Sequence, residues 1–256
     1  LAATRSATSL GARTLAIVNV VGSAISKAAS DVIYTWAGPE IAVATTKAYS
    51  TQLSVMYLIS LYMAQTLGTL LPEQYDAMVK ALVELPDQME KMLTPEYLEE
   101  IRVLAEQYKE HHDVFFIGRN VDSATCLEGS LKLKEIAYVH SEAYAAGELK
   151  HGPISLIEDN TLVIALATVQ ELFEKTMSNV KEVKARGANV LGVTTARNEA
   201  EIAKSVDRYL LVPQTHPVLQ PSLNVVPLQI FAYYVALARD CDVDKPRNLA
   251  KSVTVE

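Results

Sequence analysis

The central part of the sequence carries acidic and basic residues at helical spacing. Glu128, Lys132 and Glu135 are separated by four and then three positions, which places their side chains on one face of a helix. A helix face with a carboxylate and an amine can move protons, but a surface ladder of ion pairs has the same spacing. Spacing alone favours the ladder.

Segment 138–153, directly after this helix, concentrates further functional groups. It contains two histidines, two glutamates, a lysine and two glycines, and we predict an irregular loop because a simple connection needs fewer residues. A carboxylate, an amine and an imidazole together suit proton transfer beside a carbonyl, as in aldose–ketose interconversion. In that reaction Glu135 would be the base, His151 would open a sugar ring and Lys251 would form an imine.

The C-terminal segment 244–256 is unusually apolar for a chain end. Leu249, Ala250 and two valines surround Lys251 after a turn at Pro246, and we predict that this tail docks. A lysine held against an apolar surface loses hydration, which favours the neutral amine that attacks a carbonyl. The alternative is a tail that covers the core and points Lys251 at solvent, and residue type alone favours this alternative.

Short apolar runs alternate with amphipathic segments, which predicts an α/β fold with a mostly parallel sheet covered on both faces. Ligands are then expected at the carboxyl ends of the strands, near the switch point. Strands are predicted at 14–20, 32–36, 114–117, 161–167, 189–194 and 208–212, and helices at 23–30, 41–67, 72–89, 95–111, 124–139, 170–186, 199–204 and 223–239. The N-terminal unit has two predicted strands, so we expect it to be incomplete.

Bulk properties exclude several classes of protein. The 256 residues carry a formal net charge of −7 without long runs of one sign, which argues against a nucleic-acid partner. The two cysteines, Cys126 and Cys241, match no metal or redox spacing, and no nucleotide-binding glycine pattern occurs. Polar residues interrupt the apolar stretch 41–71, so we predict a buried helix there and no membrane span. No signal peptide is recognisable, and a cytoplasmic protein is expected.

Three blocks of the sequence resemble one enzyme family. Segments 40–53, 131–153 and 244–256 are similar to the isomerase half of the glucosamine-6-phosphate synthases. The resemblance implies two sugar-isomerase (SIS) domains with flavodoxin-like parallel sheets, the first incomplete here, joined by a helical segment. It also implies binding of fructose 6-phosphate and a homodimer with active sites at the subunit interface. Because the sequence has no His-x-x-x-His or Cys-x-x-Cys spacing, we expect no metal, and no cofactor is expected.

The resemblance also implies roles for individual residues. Glu135 corresponds to the base that moves a proton between C1 and C2, and Lys132 to the lysine that assists at the sugar oxygens. His151 corresponds to the ring-opening histidine, which the neighbouring subunit supplies. Lys251 corresponds to the lysine that forms an imine with the open-chain ketose.

Sugar-contacting positions and domain bounds follow from the same resemblance. The sugar contacts correspond to Val43, Thr45 and Ala250, and Thr45 keeps a hydroxyl where some relatives have serine. The expected division is a first SIS domain at 1–70, a helical linker at 71–104, a second SIS domain at 105–246 and a tail at 247–256.

The start of the chain departs from the family pattern. Leu1 is not a start methionine, and the family's glutaminase domain and phosphate-binding loop would precede it, so we expect an N-terminally truncated chain. Ser6 and Thr8 do not reproduce that loop. Each lost charge-assisted bond to a phosphate is worth about 1.5–3 kcal/mol, so the chain alone is expected to bind a phosphosugar weakly.

The parent reaction would convert fructose 6-phosphate and glutamine-derived ammonia to glucosamine 6-phosphate. Two alternatives remain at this point. One is another SIS enzyme, such as a deglycase of phosphorylated fructosamines, which the matching tail around Lys251 disfavours. The other is a non-catalytic sugar-phosphate-binding module, which would not need Glu135, Lys132, His151 and Lys251 together.

Overall fold

The chain forms two compact units in the computed structural model, which describes residues 1–251. The first unit is Leu1–Ala77 and the second is Met78–Glu256. Helix α4 (Pro72–Glu90) contains the boundary between them.

The first unit contains a small parallel sheet. Its elements are α1 (Ala2–Ser9), β1 (Leu15–Val18), α2 (Ala24–Ala28), β2 (Asp31–Tyr34) and α3 (Lys47–Leu67). Within the described residues, this sheet has two strands, β1 and β2, which pair in parallel. The prediction that α3 begins near residue 41 was wrong. The segment before Lys47 is rich in β-branched residues, which lose rotamer freedom in a helix, and the Lys47 ammonium donates to the Pro39 carbonyl at 2.6 Å.

The second unit is a flavodoxin-like α/β domain. Its elements after α4 are α5 (Pro95–Tyr108), β3 (Asp113–Gly118), α6 (Val121–Ala137), β4 (His140–Ala145), β5 (Leu162–Leu166), α7 (Phe173–Lys184), β6 (Asn189–Thr195), α8 (Glu199–Ile202), β7 (Arg208–Val212) and α9 (Gln220–Ala238). As far as residue 251, this unit has five strands, which are parallel in the order β4-β3-β5-β6-β7. Counted within the unit this is 2-1-3-4-5, the flavodoxin order, so the predicted fold class is confirmed.

Strand β4 lies inside the segment that we predicted to be a loop. Its sequence is polar and small and lacks the apolar run that marks the other strands. The strand forms because it pairs with β3 over its whole length and because Ser141 is buried against α6. The Ser141 hydroxyl donates to the Ser130 carbonyl at 2.9 Å and lies 3.0 Å from the Ser130 hydroxyl.

Helices α6 and α9 pack closely through a glycine. A Cβ atom at Gly129 would lie 2.6 Å from Cδ1 of Leu228 and 3.0 Å from Cε1 of Phe116, so a larger residue would force these side chains to shift. Within the described residues, α9 is the one helix long and apolar enough to cross a membrane, with a mean hydropathy of 1.3, and 56% of it is buried inside the protein. That burial is typical of a core helix.

The switch point of the second sheet, between β3 and β5, is filled by protein side chains. The Asp122 carboxylate accepts hydrogen bonds from the Thr168 amide (2.8 Å), the Thr168 hydroxyl (2.6 Å), the Val169 amide (3.2 Å) and the Asn224 side-chain amide (3.0 Å). Burial raises the pKa of Asp122, and these hydrogen bonds oppose the shift. At this position, where we expected a ligand, these polar side chains satisfy one another.

Replacing Asp122 with alanine is expected to destabilise the protein by about 3 kcal/mol, because buried donors lose a charged acceptor. Urea unfolding followed by circular dichroism measures the change. The matched control is Asp87→Ala on the exposed side of α4, for which a change within about 0.5 kcal/mol is expected. Equal stability of the two variants would contradict the structural role of Asp122.

Candidate active site

A buried lysine lies between two carboxylates on α6. The Lys132 side chain is 2% exposed, and its ammonium lies 2.5 Å from Oε2 of Glu135 and 3.4 Å from Oε1 of Glu128. A buried ammonium is costly unless it is paired, and two carboxylates provide the pairing. Because the lysine is buried, the residues do not form the solvent-exposed ladder that spacing alone favoured.

This triad lies near the amino-terminal edge of the second sheet. Glu135 is two residues from the end of α6 at Ala137, and β4 starts at His140. At the same edge, Nδ1 of His140 lies 2.7 Å from Oδ1 of Asp113, the first residue of β3. We expected ligands at the carboxyl ends of the strands. Glu128, Lys132 and Glu135 lie instead towards the opposite edge of the sheet.

Glu135 opens onto a cavity that also receives the C-terminal tail. The Glu135 side chain is 23% exposed, and the cavity has a volume of about 450 Å³. Its lining consists of Lys134, Glu135, Tyr138, Val139, His140, Arg247, Asn248 and Leu249. The structure thus brings the predicted base and the predicted tail to one cavity in the second unit.

The tail docks as predicted, but it docks through Pro246 and Arg247. The docking prediction was based on the apolar residues around Lys251. Pro246 is buried, and the Arg247 amide donates to the Tyr138 hydroxyl at 2.7 Å. Leu249 is 44% exposed, and Lys251 is exposed. Residues 253 and 255, the two valines of the prediction, lie outside the described residues.

The remaining predicted site residues lie in other parts of the chain. His151 ends a short 3₁₀ turn (Leu149–His151) and is exposed, and its backbone amide donates to the Glu148 carbonyl at 3.0 Å. Ala250 is exposed beside Lys251. Val43 and Thr45 belong to the first unit, where both are half-buried in the irregular segment before α3.

Metal and thiol chemistry have little support in the described part of the chain. Residues 1–251 contain no group of three or more histidine, cysteine or acidic side chains that could hold a metal ion. Cys126 is fully buried, and burial raises the pKa of its thiol well above the usual range, which keeps it unreactive. Cys241 is a half-buried free thiol.

Sequence reasoning missed three contributors to this site. Glu128 was interpreted only as part of a surface ladder, although its spacing from Lys132 was visible. Tyr138 and Arg247 had no assigned role, because their contact joins positions 109 residues apart. The positive charge of Arg247 was a signal for a cation–π contact, but the sequence did not identify Tyr138 as its aromatic partner.

The half-buried Glu128 side chain predicts a pH dependence of stability. Burial raises its pKa above the ordinary 4.5, while the Lys132 ammonium opposes the shift. The folded state therefore holds this proton more tightly than the unfolded chain. The resulting stabilisation is complete below the unfolded pKa and is lost as the pH rises through the raised folded value.

Wild-type protein is accordingly expected to lose stability relative to Glu128→Gln as the pH rises from about 4 to 7. Urea unfolding of both proteins across this range measures the difference. Glu90→Gln, at an exposed position on α4, is the control and should show a much smaller trend. A wild-type protein that gains stability relative to Glu128→Gln over the same range would contradict the assignment.

Comparison with known proteins places this geometry in a family. The SIS domain model matches residues 1–62 and 107–239. Over all 256 residues, the chain is 55% identical to glutamine–fructose-6-phosphate aminotransferase (isomerizing) from Clostridium tetani and 49% identical to the enzyme of the same name from Methanosarcina acetivorans. The chain spans 42% and 41% of the length of these curated relatives.

Solved structures agree with the sequence matches. The C-terminal domain of glucosamine-fructose-6-phosphate aminotransferase from Francisella tularensis superimposes with a TM-score of 0.90 at 32% identity, covering 95% of this chain and 69% of that one. Glucosamine-6-phosphate deaminase from Thermotoga maritima matches with a TM-score of 0.69 at 26% identity, covering 94% and 67%. The chain belongs to the SIS-domain family and corresponds to the C-terminal isomerase half of the glutamine–fructose-6-phosphate aminotransferases.

Proposed function

We propose that this chain carries out the sugar-isomerising half of an aminotransferase reaction, in which fructose 6-phosphate and ammonia give glucosamine 6-phosphate and water. The observation that carries the proposal is the Lys132–Glu135 pair, of which the Glu135 carboxylate opens onto the cavity lined by the tail. A glutaminase domain in the longer protein would supply the ammonia. The 55% identity to an enzyme named for this reaction supports the assignment.

The proposed chemistry assigns one step to each group. The Lys251 amine attacks C2 of the open-chain ketose and water leaves, which forms an imine. Ammonia then replaces the lysine at C2. Glu135 removes a proton from C1 and returns it to C2, so that the C1 hydroxyl becomes an aldehyde and C2 bears the amine.

Lys132 and His151 have supporting roles in this proposal. The buried Lys132 ammonium fixes the Glu135 carboxylate and offers a proton to the sugar oxygens that approach it. His151 opens the sugar ring, and it is exposed, which is compatible with service in the site of a second subunit. The proposal therefore includes a homodimer.

Substrate contacts, domain bounds and location complete the proposal. The sugar-contacting residues are Val43, Thr45 and Ala250. The domains are a first SIS domain at 1–70, a helical linker at 71–104, a second SIS domain at 105–246 and the tail at 247–256. No cofactor, nucleic acid or membrane takes part, and the protein acts in the cytoplasm.

A second candidate is a related SIS enzyme that removes an amine from a phosphosugar. The structural likeness to a protein named glucosamine-6-phosphate deaminase favours it. The two functions differ in the direction of amine transfer and in the use of Lys251. An imine between fructose 6-phosphate and Lys251, trapped with borohydride, would support the aminotransferase.

A fusion protein tests the proposed function. The chain replaces the matching part of the Clostridium tetani relative, whose remaining sequence stays in place, and glucosamine 6-phosphate is measured by mass spectrometry. We expect the fusion protein to form glucosamine 6-phosphate from fructose 6-phosphate and glutamine. The 256-residue chain supplied with ammonia should form about tenfold less product or lower still. A folded fusion protein that forms no glucosamine 6-phosphate would contradict the proposal.

A further inference from the structure

Tyr138 ends α6 in a conformation that is unusual for an aromatic residue. Its φ of 56° and ψ of 31° lie in the left-handed region, which glycine and asparagine usually occupy at helix C-termini. A residue with a Cβ atom is disfavoured there. Helix capping alone therefore does not account for a tyrosine at this position.

The Tyr138 side chain holds the tail by two contacts with one residue. Its hydroxyl accepts a hydrogen bond from the Arg247 amide at 2.7 Å. The Arg247 guanidinium carbon lies 4.2 Å from the centre of the Tyr138 ring, a distance typical of a cation–π contact. Backbone and side chain of Arg247 are thus both fixed by a residue 109 positions earlier.

This contact lies four positions before Lys251 in the sequence. Pro246 is buried, whereas residues 247–251 are exposed. Arg247 and Lys251 are four positions apart, so their Cα atoms lie within about 14 Å of each other. On the other side of the contact, Glu135 lies one helical turn before Tyr138 and lines the same cavity.

We propose that Tyr138 is a positioning residue that anchors the tail to α6. The anchor would place the Lys251 amine at a defined position relative to Glu135 when it attacks the C2 carbonyl of the sugar. The proposal rests on the proposed function for the role of Lys251. The anchor itself is a property of the fold and can be measured without activity. In this proposal Tyr138 acts through the tail.

Three variants of the 256-residue chain test the anchor. Tyr138→Gly keeps a good helix cap and removes both contacts, whereas Tyr138→Phe keeps the ring and removes the hydroxyl. Tyr209→Phe is the matched control, because it removes a hydrogen bond of 3.0 Å to Glu199 elsewhere in the second unit. The readout is hydrogen exchange of the tail amides, followed by mass spectrometry of a C-terminal peptide.

We expect tail exchange to be about fivefold faster in Tyr138→Phe, as the loss of one ordinary hydrogen bond predicts, and faster still in Tyr138→Gly. Tyr209→Phe should leave tail exchange unchanged. Tyr138→Gly should not lower the urea midpoint, because glycine relieves the disfavoured backbone conformation. Unchanged tail exchange in Tyr138→Gly would overturn the anchor, whatever the activity of the protein.

The positioning role is tested in the fusion protein. Borohydride trapping of the imine at Lys251 should slow in the order Tyr138→Phe, then Tyr138→Gly, with a smaller change in KM than in kcat. Faster tail exchange with an unchanged trapping rate would overturn the positioning role. A wild-type fusion protein that forms no imine at Lys251 would overturn both the proposed function and the positioning role. The anchor would still stand in that case if tail exchange is faster in Tyr138→Gly, because the exchange experiment does not depend on activity.

Discussion

Replacement of Glu135 with glutamine is expected to lower kcat of the fusion protein for glucosamine 6-phosphate formation by about 10²–10⁴-fold. Glutamine keeps the shape of the side chain but cannot take a proton from C1. The Lys132 ammonium, which lies 2.5 Å from the Glu135 carboxylate, keeps Glu128 as a second partner at 3.4 Å. The fold should therefore survive the change, and KM should move less than kcat.

Glu90→Gln provides the control for this loss, because it makes the same chemical change at an exposed position on α4. Its kcat should equal that of the wild-type fusion protein. Steady-state assays with fructose 6-phosphate and glutamine compare the three proteins. A Glu135→Gln variant with more than about a tenth of the wild-type kcat would show that another group moves the proton.

Replacement of Lys251 with arginine is expected to abolish imine formation and to lower amination by about a thousandfold or more. Arginine keeps the positive charge and the length of the side chain, but it does not form imines with ketoses. The anchor between Tyr138 and Arg247 is not altered. The change therefore separates the covalent step from the docking of the tail.

Lys204→Arg is the matched control, since Lys204 is exposed and pairs with Glu201 at 2.8 Å on the surface of the second unit. It should trap as much imine as wild type. Borohydride reduction followed by peptide mass spectrometry measures the adduct. Persistent trapping in Lys251→Arg would mean that a different lysine carries the imine.

The buried parts of the fold were predictable from the sequence because their signal is local. Strand β5 is a continuous apolar run, and β6 contains one. Both strands are almost completely buried, as expected for a parallel sheet that is covered on both faces. Strand β4 could not be predicted, because its polar residues are ordered by pairing with β3 and by the Ser141–Ser130 contact. Those partners come from tertiary structure, which local patterns do not contain.

The candidate site was predictable to a similar extent. Helical spacing placed Lys132 and Glu135 side by side, and the structure confirms that contact. Spacing could not show that Lys132 is buried, since burial depends on tertiary contacts of α6 that a single sequence does not contain. The contact of Tyr138 with Arg247 requires a left-handed tyrosine and a long-range approach, and neither has a signal in a single sequence.

The most direct test of the account follows one isotope at one carbon. Fructose 6-phosphate carrying deuterium at C1 is given to wild-type and Glu135→Gln fusion proteins, the reactions are quenched with borohydride, and the Lys251 adduct and the sugar are weighed by mass spectrometry. We predict that both proteins form the Lys251 adduct and that deuterium leaves C1 only with wild type. Loss of deuterium from C1 at the wild-type rate in Glu135→Gln would contradict the central claim that Glu135 moves this proton.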